Sequence, residues 1–215
     1  ETLLVERGKF AGAKNTWGGA FYGPVLHDLF EKFEEEAPVE RFIRHRKISL
    51  LGKKDCITVE FTPGAGKDQP SPGFTLLRSR FDRWMAGKAE EAGAVLACGL
   101  EADDLLMDSG RVAGIKAGGD EMPARVVVAC DGVNSLLAQK AGLRREIAPG
   151  DVKLGVKEVI ELGKDEIDGR FGLRGDAGAA WEFIGSTRGL PGGSFIYTNR
   201  ETLSVGVVVK PTALG

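Results

Sequence analysis

The chain has 215 residues, 42% of them hydrophobic and 28% charged, with a formal net charge of -2. That length holds one sizeable core or two smaller ones, and the near-neutral balance gives no bulk field to draw nucleic acid or anionic lipid. No apolar run approaches the ~20 residues of a membrane-spanning helix and no signal peptide is visible, which points to a cytoplasmic protein any membrane contact of which is peripheral.

Taken in chain order, Leu3, Leu4 and Val5 form a continuous apolar run over 2–6 that reads as a buried parallel strand ending in Glu6-Arg7-Gly8. A carboxylate at the carboxyl end of such a strand is placed to accept hydrogen bonds from the hydroxyls of a ribose. After a glycine-rich segment, Phe21, Val25, Leu26, Leu29 and Phe30 recur at helical spacing and predict a helix over 23–32. The stretches 41–51 and 55–62, joined by Gly52-Lys53-Lys54, predict an antiparallel hairpin, and the Pro- and Gly-dense 63–73 a surface loop. Phe81, Trp84, Met85, Ala89 and Ala92 mark one face of a helix over 80–92, with a Ser79/Asp82 capping box, ended by Gly93 and followed by a strand at 94–98.

Between 100 and 132, turns at Asp108-Ser109-Gly110 and Gly118-Gly119 divide a three-stranded meander that finishes in the run Val126-Val127-Val128-Ala129. That run enters Asp131-Gly132 and a helix over 132–141, so free N–H groups at the helix start are set to face a phosphate or polyol; the plainer reading is that Asp131 caps the helix. Beyond Pro149, strands are expected at 152–161, 179–185, 193–199 and 202–209, the last two joined by a turn around Asn199-Arg200-Glu201.

The composition adds further constraints. Glycine stands at 31 residues, roughly twice the usual ~7%, which suggests tight turns and close backbone approach to a ligand. Cys56, Cys98 and Cys130 show no metal-binding spacing and read as small buried hydrophobes in strands. Arg41, Arg44, His45, Arg46 and Lys47 read as a charged solvent face on an edge strand or a docking patch for an acidic partner, and His45 has no evident carboxylate partner. The segment 189–195, GLPGGSF, is either a tight turn between strands or the lining of a substrate channel.

Five segments, in order, carry a resemblance: ERGKFAGAKNTWGGAFYG, LLRSRFDRWMAGKAEEAGA, ACDGVNSLLAQKAGL, LGVKEVIEL and GLPGGSFIYTN. Together they resemble the FixC and electron-transfer-flavoprotein:quinone oxidoreductases, within the flavoprotein class that also holds geranylgeranyl reductases and aromatic hydroxylases. The resemblance implies an α/β fold: an FAD/NAD(P)-binding Rossmann-like domain with an antiparallel meander, formed by 1–38 and 74–148, plus a β-rich substrate and partner domain formed by 39–73 and 149–215. It also implies that the first strand and glycine turn lie before residue 1 and that a later segment follows residue 215. The chain is then roughly a first half, expected to hold FAD weakly by itself.

By the same resemblance, Glu6 holds the adenosine ribose and Arg7 flanks the adenine. Lys14-Asn15 through Gly18-Gly19 run close to the isoalloxazine or ribityl chain, and Arg80 approaches the diphosphate or ribityl. Ala102 meets the adenine edge by its backbone, and Asp131-Gly132 contact the ribityl and diphosphate. Trp17 stands where related members carry a smaller Ser, Thr or Cys. The implied activity passes electrons from an electron-transfer flavoprotein through FAD to a quinone or a ferredoxin-like protein, with the flavin rather than a side-chain triad supplying the chemistry. An isoprenoid reductase or flavin hydroxylase is the alternative within enzymes, and a partner-docking module without flavin the alternative outside them. The expectation that joins these assignments is that the 2–6 run and the triple-valine run share one sheet with convergent tips.

Overall fold

The computed structural model describes residues 1–15, 19–62 and 73–213. In chain order these form β1 (Thr2–Glu6), β2 (Ala20–Tyr22), α1 (Val25–Leu29), α2 (Phe33–Glu36), β3 (Val39–Leu51), β4 (Cys56–Phe61), β5 (Gly73–Leu76), α3 (Arg78–Glu91) and β6 (Ala94–Cys98). They continue through β7 (Ala102–Asp108), β8 (Arg111–Ala117), β9 (Asp120–Pro123), α4 (Leu136–Lys140), β10 (Leu154–Glu161), α5 (Lys164–Phe171), β11 (Ala177–Ile184), β12 (Gly192–Thr198) and β13 (Thr202–Val209).

Three sheets result. β1 and β6 pair in parallel with Glu6 opposite Cys98, and α3 supplies the crossover into β6. β7, β8 and β9 form the expected meander. The third is an eight-stranded sheet ordered β10-β13-β12-β11-β3-β5-β2, with β4 also on β3. It takes strands from both segments that the sequence divides, since β2 and β5 pair in it beside β3 and β11.

The main core forms where α1, α2 and α3 meet β5 and the start of β3. Phe33 and Phe74, each 1% exposed, sit 5.1 Å apart between ring centroids, with Leu26, Val39, Leu76 and Phe81 around them. Trp84 packs edge-on to Phe30 and Phe33, as its place on the apolar helix face predicts. A second cluster, Ile167, Leu173 and Ala179, seats α5 on the large sheet.

Several expectations are corrected. The run 126–129 forms no strand, and Val126 and Val128 are each 78% exposed. An apolar run becomes a strand only where a neighbour completes its hydrogen-bond ladder, and among the described residues none pairs with it, so it does not share a sheet with β1. The helix expected at 132–141 is shortened to α4, the one at 23–32 is shortened to α1, and α2 is a further helix beyond the expected span. The Ser79/Asp82 box does not form, because α3 starts at Arg78 with Leu77 at its N-cap and Ser79 lies inside the first turn; Asp82 instead accepts from the Arg78 guanidinium at 2.7 and 2.8 Å. All three cysteines are exposed, Cys56 and Cys98 at strand ends and Cys130 in the unpaired run.

The basic run is not on an edge strand. β3 lies between β11 on one side and β4 and β5 on the other, and Arg41 is 1% exposed. Its guanidinium donates to the carbonyls of Asn199 (2.7 Å), Ala177 (3.0 Å) and Arg200 (3.1 Å) and pairs with Asp168 at 2.6 Å. His45 also has a carboxylate partner, Glu60, at 2.7 Å across the hairpin.

Candidate functional site

The carboxyl ends of parallel strands, where backbone N–H groups and loops are free to meet a ligand, lie at Glu6 and Cys98. The chain beyond both tips is tied together: Leu100 N–H donates to the Glu6 carbonyl at 3.1 Å, and Gly99 N–H to the Gly8 carbonyl at 2.8 Å. Glu6 Oε1 accepts the Gly8 N–H at 2.5 Å, which fixes the carboxylate; among the described residues Oε2 has no hydrogen bond. Gly8 leaves room for this carboxylate, since a Cβ would stand 2.8 Å from Glu6 Oε1 and displace it. Arg7 faces Glu101 at 3.6 Å, with both side chains more than half exposed. Ala102, opening β7 just after this junction, completes a group in which Glu6, Arg7 and Ala102 are neighbours.

The loop after β1 leans on the start of α3. Asn15 Nδ2 donates to Asp82 Oδ2 at 2.6 Å, Arg83 lies over the Phe10 ring at 4.1 Å, and Lys14 is exposed. Arg80 points elsewhere: its 68% exposed side chain reaches the buried Glu40 at 3.3 Å. Gly18 and Trp17 lie outside the described residues. Asp131 follows the plainer reading, its Oδ2 accepting the Leu137 N–H at 2.9 Å in the first turn of α4. Gly132 adopts φ +81, a conformation that favours glycine. With α4 only five residues long, no extended helix start stands behind Asp131-Gly132. Lys140 joins this segment to the Ala102 junction, reaching the Asp103 carbonyl at 2.6 Å and Asp104 Oδ1 at 3.2 Å.

A second surface was not legible in the sequence. Gly19, one residue before β2, meets Tyr197 of β12: a Cβ on Gly19 would stand 3.0 Å from the Tyr197 ring and 3.7 Å from the Ser204 Cβ. In the sheet order β2 and β12 are four places apart, which in a flat sheet would separate them by about 19 Å. The large sheet is therefore curled, and the face bearing Tyr197 is concave. Strand register puts Phe195, Glu182, Arg46, Ser204 and Lys157 on that same face. Phe195 stacks on Tyr197 at 4.5 Å, and Arg46 lies 5.1 Å from the centre of the Tyr22 ring.

Burial pushes the Tyr197 phenol up to about 12, reinforced by the Glu182 carboxylate. Burial likewise raises Tyr22, against the opposing charge of Arg46, and lowers the Lys157 ammonium. The face continues onto the hairpin, where register aligns the exposed Ile48, Leu50, Ile57, Val59, Phe61 and Ile184 in one apolar strip. The opposite face of the hairpin is polar: Lys47 and His45 share Glu60, and Trp181 Nε1 donates to Ser49 Oγ at 2.7 Å. The 189–195 segment enters β12 through Gly192 and Gly193, where added Cβ atoms would collide with the Val208 and Phe183 carbonyl oxygens. Close strand pairing thus accounts for both glycines.

Among the described residues no group of His, Cys, Asp and Glu is arranged to hold a metal ion, and no helix is long and apolar enough to cross a membrane.

No protein-family model matches the chain. It is 45% identical over 209 residues to the protein FixC of Escherichia coli, covering 97% of this chain and 49% of FixC. It is 40% identical over 213 residues to the probable electron transfer flavoprotein-quinone oxidoreductase YdiS of the same organism, covering 97% of this chain and 49% of YdiS. The chain thus spans about half the length of the curated relatives it matches. Among solved structures, a geranylgeranyl bacteriochlorophyll reductase-like protein from Thermoplasma acidophilum shares the fold with a TM-score of 0.77 at 21% identity, covering 99% of this chain and 51% of that protein. Over the half of their length that it spans, the chain belongs to the family of FixC and the electron transfer flavoprotein-quinone oxidoreductases.

Proposed function

We propose that the protein carrying this chain is an FAD-dependent oxidoreductase that takes electrons from an electron-transfer flavoprotein and delivers them to a quinone, with a ferredoxin-like protein as the second class of acceptor. The observation that carries the reading is Glu6: a carboxylate fixed at the tip of a parallel strand with one oxygen open, in a chain 45% identical to FixC. Such a carboxylate fits the two hydroxyls of an adenosine ribose, and the neighbouring backbone at Ala102 fits the adenine edge. Arg7, exposed on Glu101, is free to flank the base. Arg80 must exchange Glu40 for a diphosphate, which its exposure permits. Lys14, Asn15, Gly18 and Gly19 are assigned to the flavin end, and Asp131 and Gly132 to the ribityl and diphosphate.

Bound FAD supplies the electron-transfer chemistry that side chains lack, and the protein orients it and shapes access to it. Gly19 joins the flavin segment to the concave sheet face, and the apolar strip from Ile48 to Phe61 suits a hydrophobic quinone arriving at a membrane surface.

The test is flavin content in the full-length protein. Extraction should yield FAD from the wild type, and Glu6→Ala should lower occupancy at least about fivefold, the scale of a lost hydrogen bond pair. The wild-type flavin should bleach with reduced electron-transfer flavoprotein and recover on adding a quinone. Equal FAD content in the two proteins removes Glu6 from the site; a wild type without flavin removes the function.

A further inference from the structure

The chain contains two tyrosines, Tyr22 and Tyr197, and the curled sheet brings both to its concave face beside Gly19. Tyr197 is half-buried and Tyr22 is 41% exposed, and among the described residues neither hydroxyl makes a hydrogen bond, so both donors are open to a ligand. Two unpaired O–H donors on one concave face are what an oxygen-bearing ligand needs.

We propose that the Tyr197 hydroxyl, assisted by that of Tyr22, is the hydrogen-bond donor that holds the oxygen of a neutral carbonyl-bearing electron acceptor on the concave face of the large sheet. The inference deepens the flavoenzyme reading and rests on it for the nearby flavin. Three features select the ligand. Phe195, stacked on Tyr197 at an interplanar angle of 18°, extends a flat apolar wall suited to a planar ring. The charges that act on Tyr197 have opposite signs, Glu182 opposing its ionisation and Arg46 favouring it, so the face selects neither an anion nor a cation and a neutral carbonyl suits it. The phenol itself stays protonated at neutral pH, so it donates a hydrogen bond without giving up its proton. The contact with Gly19 places this donor next to the segment assigned to the isoalloxazine.

The experiment compares full-length wild type, Tyr197→Phe and Tyr22→Phe. Binding of a methoxy-substituted benzoquinone without an isoprenoid tail is read by equilibrium dialysis, which does not depend on flavin. Reoxidation of the reduced protein is followed with the same benzoquinone and with ferricyanide, an acceptor without a carbonyl. Tyr197→Phe keeps the ring against Gly19 and Phe195, so FAD content and the ferricyanide rate should be unchanged. The benzoquinone dissociation constant should rise about five- to tenfold, the scale of one hydrogen bond, with a smaller rise for Tyr22→Phe. Unchanged benzoquinone binding in Tyr197→Phe overturns the proposal even if FAD is present. Weakened binding with equal loss for ferricyanide also overturns it, since the ring would then be structural. Absence of FAD from the wild type sinks the flavoenzyme reading instead, and the dialysis still decides whether Tyr197 binds the carbonyl.

Discussion

Replacing Arg41 by leucine tests the claim that one buried guanidinium locks β3 to the far end of the chain. Leucine fits an interior position and matches much of the aliphatic stem, so the loss isolates the polar head. Three backbone carbonyls, at Ala177, Asn199 and Arg200, lose their donor together. Asp168 loses one of two cations and keeps Lys164. Removing one side of a buried charged network costs about 3–5 kcal/mol, and hydrogen bonds to a charged group contribute about 1.5–3 kcal/mol each before non-additivity. Arg41→Leu should therefore destabilise by about 3–5 kcal/mol in urea unfolding followed by far-UV circular dichroism. Lys53→Ala, in the exposed hairpin turn, should stay within about 0.5 kcal/mol. A loss below about 1 kcal/mol for Arg41→Leu would show that the carbonyls find other donors or water, and that the network does not hold the sheet together.

Two further outcomes follow from the same sheet. Gly206→Ala puts a Cβ 2.4 Å from the Phe195 ring and 2.9 Å from the Val156 carbonyl oxygen, so it should cost at least about 1–3 kcal/mol in the same assay, whereas Gly87→Ala, with open space around it, should not destabilise. The Asp168 carboxyl is held below its ordinary 3.8 first by Lys164 and then by Arg41. A depressed folded-state value stabilises the fold above the unfolded value and fades as pH falls through the folded one. Unfolding midpoints measured between pH 2 and 6 should thus fall more steeply on acidification in wild type than in Asp168→Asn; parallel curves would remove Asp168 from the acid response.

What the sequence reveals here is what short-range pattern decides. β1, β6, the β3–β4 hairpin, α3 and β13 match their expected spans closely, because continuous apolar runs, a Gly-Lys-Lys turn and a helical face are all local signals. β2 and β5 have three and four residues and exist through their pairing with each other and with β3, so no local periodicity announces them. α5 passes unnoticed because KDEIDGRF offers only Ile167 and Phe171 as apolar anchors and carries an internal Gly169. Local pattern misleads where a partner is distant or missing: Arg41 sits in a basic run but belongs to Asp168, and three valines do not form a strand without a neighbour.

The candidate site divides along the same line. Glu6 is legible from pattern alone, because the end of a parallel strand is a ligand position in this fold class, whereas Arg7 and Ala102 enter only through the resemblance. Tyr22 and Tyr197 were not, because no spacing relates residues on strands four places apart; only the curl of the sheet makes them neighbours. A signal was nonetheless present at Gly19. A glycine just before a strand has no need of a positive φ there, so its reason is space, and the side chain that fills the space marks the other wall of the site. The space that each such glycine leaves marks a long-range contact, and at Gly19 the contact leads from the loop before β2 to the concave face that bears Tyr197.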